Sequence, residues 1–224
     1  MISENIKALY GVFSRYPRPA HLEGCPCCTD TETSRLLTSR PLHTLTASEL
    51  SHYAFKSLST WGTLNDFRYF LPRIFELTAL GQLDCDTEVI LGKLGYADWT
   101  DWPADEQKSV WEFVASLWVQ CIRSDDISQA DAVICGFSRS TSDISLLLAM
   151  ADQIAPEFRS AYLLESGRCN KQRLTNSFWE RSLPSYQQAV DWAYSTVNTK
   201  GEQDAPSNGG QPPSLNSGFH PRRG

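Results

Sequence analysis

The residues best suited to chemistry lie between positions 16 and 28, Tyr-Pro-Arg-Pro-Ala-His-Leu-Glu-Gly-Cys-Pro-Cys-Cys. Cys25 and Cys28 stand in CxxC spacing around Pro26, Cys27 lies inside that turn, and His21 is four residues upstream. Two thiolates held across a tight turn can face one cation, and a structural zinc site needs four Cys or His ligands. Cys25, Cys27, Cys28 and His21 are therefore the candidate zinc ligands, with His43 or Cys85 as distant completions. The same run could serve as a thiol-redox loop if a helix amino terminus lowers the thiolate pKa, and a helix start near Thr29 or Asp30 would supply one. The plainest alternative is packing, with small, soft cysteines filling space under a Pro-rich loop.

A second group lies at 60–77, where Trp61, Asp66, Arg68, Arg73 and Glu76 are interleaved with aromatic residues. Arg and aromatic side chains act as binding hot spots, so this segment is a candidate binding face. Asp66, Arg68 and Arg73 could also assemble an enzyme site. A core helix carrying solvated ion pairs on its back gives the same pattern, since Arg73 and Glu76 are i, i+3 neighbours. The Asp pairs 84/86, 98/101 and 125/126 border loops, where Asp commonly caps helices and forms turns. No GxSxG, HExxH, Ser-His-Asp arrangement or phosphate loop is present.

The elements that must position these groups read as helices. Ile6, Leu9, Tyr10 and Phe13 form one stripe before Pro17 and Pro19. Thr46 and Glu49 make a capping box, and the pattern behind them predicts a helix to Trp61, ended by Gly62. The next helix runs from Thr63 to Gly81 with a kink expected at Pro72. Others are expected over 86–94, from Asp105 to Ile122, after Asp143, and over 170–182 and 185–198, split by Pro184. Ala132 to Phe137 fits a short strand or a buried helix equally well.

No period-two hairpin pattern occurs, so the fold class is all-α, an irregular multi-helix domain. Helix pairs starting near 46, 86, 128 and 170 would also suit stacked αα-hairpins of about 40 residues, the length of HEAT and armadillo units. The domain is placed at 1–199. Residues 200–224 hold four Pro and five Gly, against eight of each in the rest, and are expected to form a disordered tail.

The formal charge of −6 argues against a nucleic-acid partner and fits a basic protein partner better, with plain solubility as the simplest reading. No apolar run is long enough to span a bilayer. Seven cysteines without regular spacing, and no secretory signal pattern at the amino terminus, point to the cytoplasm.

The YPxP, CPCC, TWG and DFxxFLPRxxEL patterns, spread over the first 80 residues, resemble a group of uncharacterised bacterial cytoplasmic proteins. That resemblance implies a bacterial cytoplasmic origin, and it implies that segments 16–28 and 60–77 share one site or core. It brings no activity with it. The CPxC run also resembles the loop of glutaredoxin-like proteins, although the strand that precedes such loops is missing here. The leading expectation is a non-catalytic protein-binding domain, adaptor or immunity-like, that uses an acidic helical surface.

Overall fold

Among the described residues ten α-helices carry the fold: α1 (Ile2–Phe13), α2 (Thr31–Ser39), α3 (Ala47–Lys56), α4 (Leu64–Ala79), α5 (Thr87–Tyr96), α6 (Ala104–Ser124), α7 (Ile127–Ser138), α8 (Ser145–Ile154), α9 (Phe158–Ser166) and α10 (Pro184–Gly201). The computed structural model describes residues 2–27, 29–168 and 172–201. Among these the only strands are β1 (Gly167–Arg168) and β2 (Arg173–Leu174), a two-residue antiparallel pair. The fold is all-α. Among the described residues no helix is long and apolar enough to cross a membrane.

Local rules place the early helices. Glu49 accepts from the Thr46 backbone N–H at 2.8 Å at the start of α3. At α4 the box is reciprocal, with Thr63 N donating to Asp66 Oδ2 at 2.7 Å and Asp66 N donating to Thr63 Oγ1 at 3.3 Å. Leu9 and Phe13 of the α1 stripe are buried, and α1 packs on α4 and α6. The α6 helix is the longest, and its Phe113 stacks on Phe75 of α4 with ring centres 4.4 Å apart. Two buried indoles donate to backbone carbonyls, Trp118 to Leu147 O at 2.6 Å and Trp99 to Ser140 O at 2.7 Å, whereas the indole N–H of Trp61 has no hydrogen-bond partner among the described residues.

Contact between α1 and α6, with four helices between them in sequence, is not the neighbour-only stacking of a solenoid. The domain is an irregular helical globule. The end of α3 and the last two expected helices differ from the sequence expectation, and the segment left open between strand and helix is helical. Helix α3 stops at Lys56, because Leu58 takes a left-handed φ of 62° and Trp61 folds back to bridge Ser57. Residues 127–138 form a helix whose whole circumference is nearly buried, so no stripe marks it. The helix expected at 170–182 is replaced, in its described part, by β2 and turns. Pro184 opens α10 rather than splitting two helices, since its fixed φ and missing N–H suit a first helical position. Helix α10 runs to Gly201, and the tail expected beyond it lies outside the described residues.

Candidate functional site

The 16–28 and 60–77 segments meet. Gly24 bridges Trp61, Cys25 N donates to Thr60 O at 2.9 Å, and Gly62 N donates to Glu23 O at 2.7 Å. A side chain at Gly24 would lie 2.4 Å from Thr29 Cγ2 and 3.0 Å from Thr60 O, so only glycine admits this approach.

Trp61 is buried in the core against the edges of His52 and Tyr53, which corrects its reading as a surface hot spot. Asp66 caps α4. Arg68 crosses to Glu106, with Nε 3.7 Å from Oε2, and its guanidinium lies 4.5 Å from the ring centre of Trp102 and 5.4 Å from that of Tyr16. Arg73 donates to Leu45 O at 2.8 Å and to Glu76 Oε2 at 2.7 Å, and Tyr10 donates to the same oxygen at 2.7 Å. Burial and that carboxylate push the Tyr10 phenol well up. Asp66, Arg68 and Arg73 thus have three different sets of partners.

Cys25 is half-buried and Cys27 exposed, with their sulfurs 2.9 Å apart. His21 faces Glu23 at 3.7 Å. Cys28 lies outside the described residues. Among the described residues no three His, Cys, Asp or Glu side chains are grouped to hold a metal ion. Cys85 lines a different cavity and does not complete a set with Cys25.

That other cavity is a polar cleft of about 570 Å³ between the amino end of α5, the first turns of α7, the end of α9 and the chain after β2. Its carboxylates descend by depth. Asp86 and Glu165 stand exposed at the rim, Glu88 is half-buried, and Asp131 is 5% exposed. Asp131 Oδ1 accepts from the Tyr162 hydroxyl and from Trp179 Nε1, the latter at 3.3 Å. Burial raises the Asp131 carboxyl above the ordinary range, opposed by hydrogen bonds from Tyr162, Asn176 and Trp179. Asn176 donates to Glu88 Oε1 at 2.7 Å, and Gln129 to Thr87 Oγ1 at 3.0 Å, which fixes the walls. Burial and the Asp86 charge push the Cys85 thiol in the same wall up to about 11, so it stays protonated near neutral pH.

No protein-family model, curated protein or solved structure matches this chain.

The function must then be read from this geometry. Among the described residues the cleft is lined by four carboxylates and by no Lys, Arg or His. Sequence reasoning passed over all but Asp86, which it took as a cap. The available signal was Asp131 itself, a single acidic residue inside the otherwise apolar run 130–137. A lone carboxylate on a helix with no solvent face must be compensated or used.

Proposed function

We propose that the protein is a non-catalytic binding domain, of the adaptor or immunity-like kind, and that its acidic cleft receives a basic side chain of a partner protein. The observation that carries this is the grouping of Asp86, Glu88, Asp131 and Glu165 around one cavity whose own described lining holds no Lys, Arg or His; the cations Lys56, Lys93 and Arg139 line a separate pocket that Glu88 also borders. Negative charge gathered in a recess focuses its field outward and attracts a cation. The net charge of −6 adds long-range steering toward a basic partner. A Lys or Arg head entering the cleft would meet rim carboxylates first and the shielded ones last.

The test is fluorescence anisotropy with a labelled tetra-arginine peptide, with tetra-glutamate as control. Glu88→Gln is expected to weaken binding by about tenfold or more, because close, desolvated charge pairs couple by more than about 1.5 kcal/mol. Glu165→Gln should change affinity by about threefold or less and act mainly through the salt dependence, as exposed charges do. Equal, salt-insensitive binding by wild type and both variants would remove the proposal.

Asp131 adds a pH signature. A carboxyl whose folded pKa lies above its unfolded value stabilises the fold fully below the unfolded value, and that advantage is lost as pH rises through the folded pKa. Asp131→Asn cannot titrate, so its stability should be flatter from the ordinary carboxylate range upward. At neutral pH it should exceed wild type by about 1 kcal/mol, the usual scale for relieving a cost held at a functional site. Peptide binding by wild type should strengthen as pH rises through the same window, and Asp131→Asn should lose that slope. Urea melts and anisotropy titrations at stepped pH read both.

A further inference from the structure

The loop that carries the clustered cysteines is built more firmly than a packing role requires, and the cleft reading leaves it unexplained. Cys25 is pinned at both ends of its backbone: its N–H donates to Thr60 O, and its carbonyl accepts from Thr29 N at 3.0 Å and Thr29 Oγ1 at 2.9 Å. Cys27 stands exposed two residues on, beyond Pro26, whose ring fixes the intervening φ. The two sulfurs approach to 2.9 Å.

Beside them, between this loop and α2, is an open cavity of about 510 Å³ lined by His21, Gly24, Pro26, Thr31, Ser34 and Arg35 among others, with no carboxylate in its wall. Gly24 and Pro26, on either side of Cys25, contribute to its wall, and Arg35, ion-paired with Glu32 at 3.0 Å, offers its remaining donors with the hydroxyls of Thr31 and Ser34 to an anionic small molecule. Of the other described cysteines, Cys121 and Cys135 are enclosed, burial pushing the Cys121 thiol up to about 12 and that of Cys135 higher still, and the half-buried Cys85 is held protonated in the wall of the acidic cleft.

We propose that Cys25 and Cys27 form a reversible dithiol–disulfide site that exchanges with a small carboxylate-bearing disulfide docked in the neighbouring cavity. The exposed Cys27 thiolate attacks one sulfur of the small disulfide, whose S–S bond breaks and releases the first small thiolate. The Cys25 thiolate then attacks the Cys27 sulfur, closing the protein disulfide and expelling the second. The two cysteine protons end on the two departing thiolates. The protein gives up two electrons and the small disulfide accepts them. A ring spanning a single residue is strained and exposed, the kind of disulfide that reopens readily in excess thiol.

This rests on the thiol geometry alone and is tested apart from the cleft. Full-length wild type and Cys28→Ser are reduced, incubated with glutathione disulfide, alkylated, and digested with trypsin, and the 16–35 peptide is read by fragment-ion mass spectrometry. In both proteins the peptide should return two hydrogens lighter, with the bond assigned to Cys25 and Cys27. Alkylation of Cys27 should fall by about tenfold, as expected when a reactive thiolate is consumed, and excess reduced glutathione should restore it. Cys25→Ser should stop at a mixed disulfide on Cys27. Undiminished alkylation of Cys27, or a bond that forms only through Cys28, would overturn the proposal. Circular dichroism of each variant checks that the helices are intact, and the wild-type assignment decides the question even where a variant is not.

Discussion

Glu106→Ala is expected to cost about 3–5 kcal/mol and to lower Tm by on the order of 10 °C. Glu106 is fully buried at the first turn of α6, where the helix dipole favours an anion. It accepts from the Tyr16 hydroxyl at 2.7 Å, Arg15 reaches the same oxygen at 3.5 Å, and Arg68 approaches the other. Removing the carboxylate leaves the Arg68 guanidinium, itself 15% exposed, without its counter-charge between Tyr16 and Trp102. The contact is imperfect, since Arg68 Nε and Glu106 Oε2 have no hydrogen-bond partner. Breaking a buried pair costs far more than the pair contributes, so the double change Arg68→Met with Glu106→Leu should recover most of the loss. Urea denaturation of the two singles and the double closes the cycle. Glu106→Ala within about 0.5 kcal/mol of wild type, the range of ordinary surface changes, would show that the pair is not enclosed.

This cluster also shows how far the sequence reaches. Helices α1, α4 and α6 are legible because each has a one-sided stripe and chemical end signals, such as Thr63 with Asp66. Helix α7 is not, because Ala130 to Ser138 is buried on every side and periodicity then carries no information. The end of α3 is hidden for another reason: Ser57, Leu58 and Trp61 keep helical spacing while Leu58 turns left-handed so that Trp61 can reach the core. Pairings across long separations are beyond any local pattern. Tyr16, Arg68 and Glu106 come from three elements, as do Glu88, Asp131 and Glu165. The aromatic and charged segment at 60–77 was visible as unusual, but its charges are spent on helix capping and on partners within the fold. Only the neighbouring cysteines keep both an exposed group and an adjacent cavity.

Gly136→Ala should destabilise the domain by about 1–3 kcal/mol and weaken tetra-arginine binding, although alanine is the better helix former by about 1 kcal/mol. A Cβ at Gly136 would lie 2.7 Å from Glu88 Cα and 2.9 Å from Glu88 O. Those are backbone atoms of α5, which cannot rotate aside as a side chain could, so α5 must move away from α7. The same crossing is tight at its other end, where a Cβ at Gly95 would lie 2.6 Å from Arg139 O. Glu88 and Asp131 sit on the two helices that this crossing holds together, so separating them widens the cleft between its deeper carboxylates. Gly11→Ala supplies the control, because a Cβ there, in the last turn of α1, meets nothing within 4 Å. It should stabilise the protein by about 0.5–1 kcal/mol and leave peptide affinity unchanged. Opposite signs in urea midpoint for the same chemical change, with affinity lost only at Gly136, would tie the cleft to the α5–α7 contact. Loss of stability at Gly136 with full affinity would instead mean that the carboxylates are positioned by the Asn176 and Gln129 hydrogen bonds, independently of how closely the helices approach.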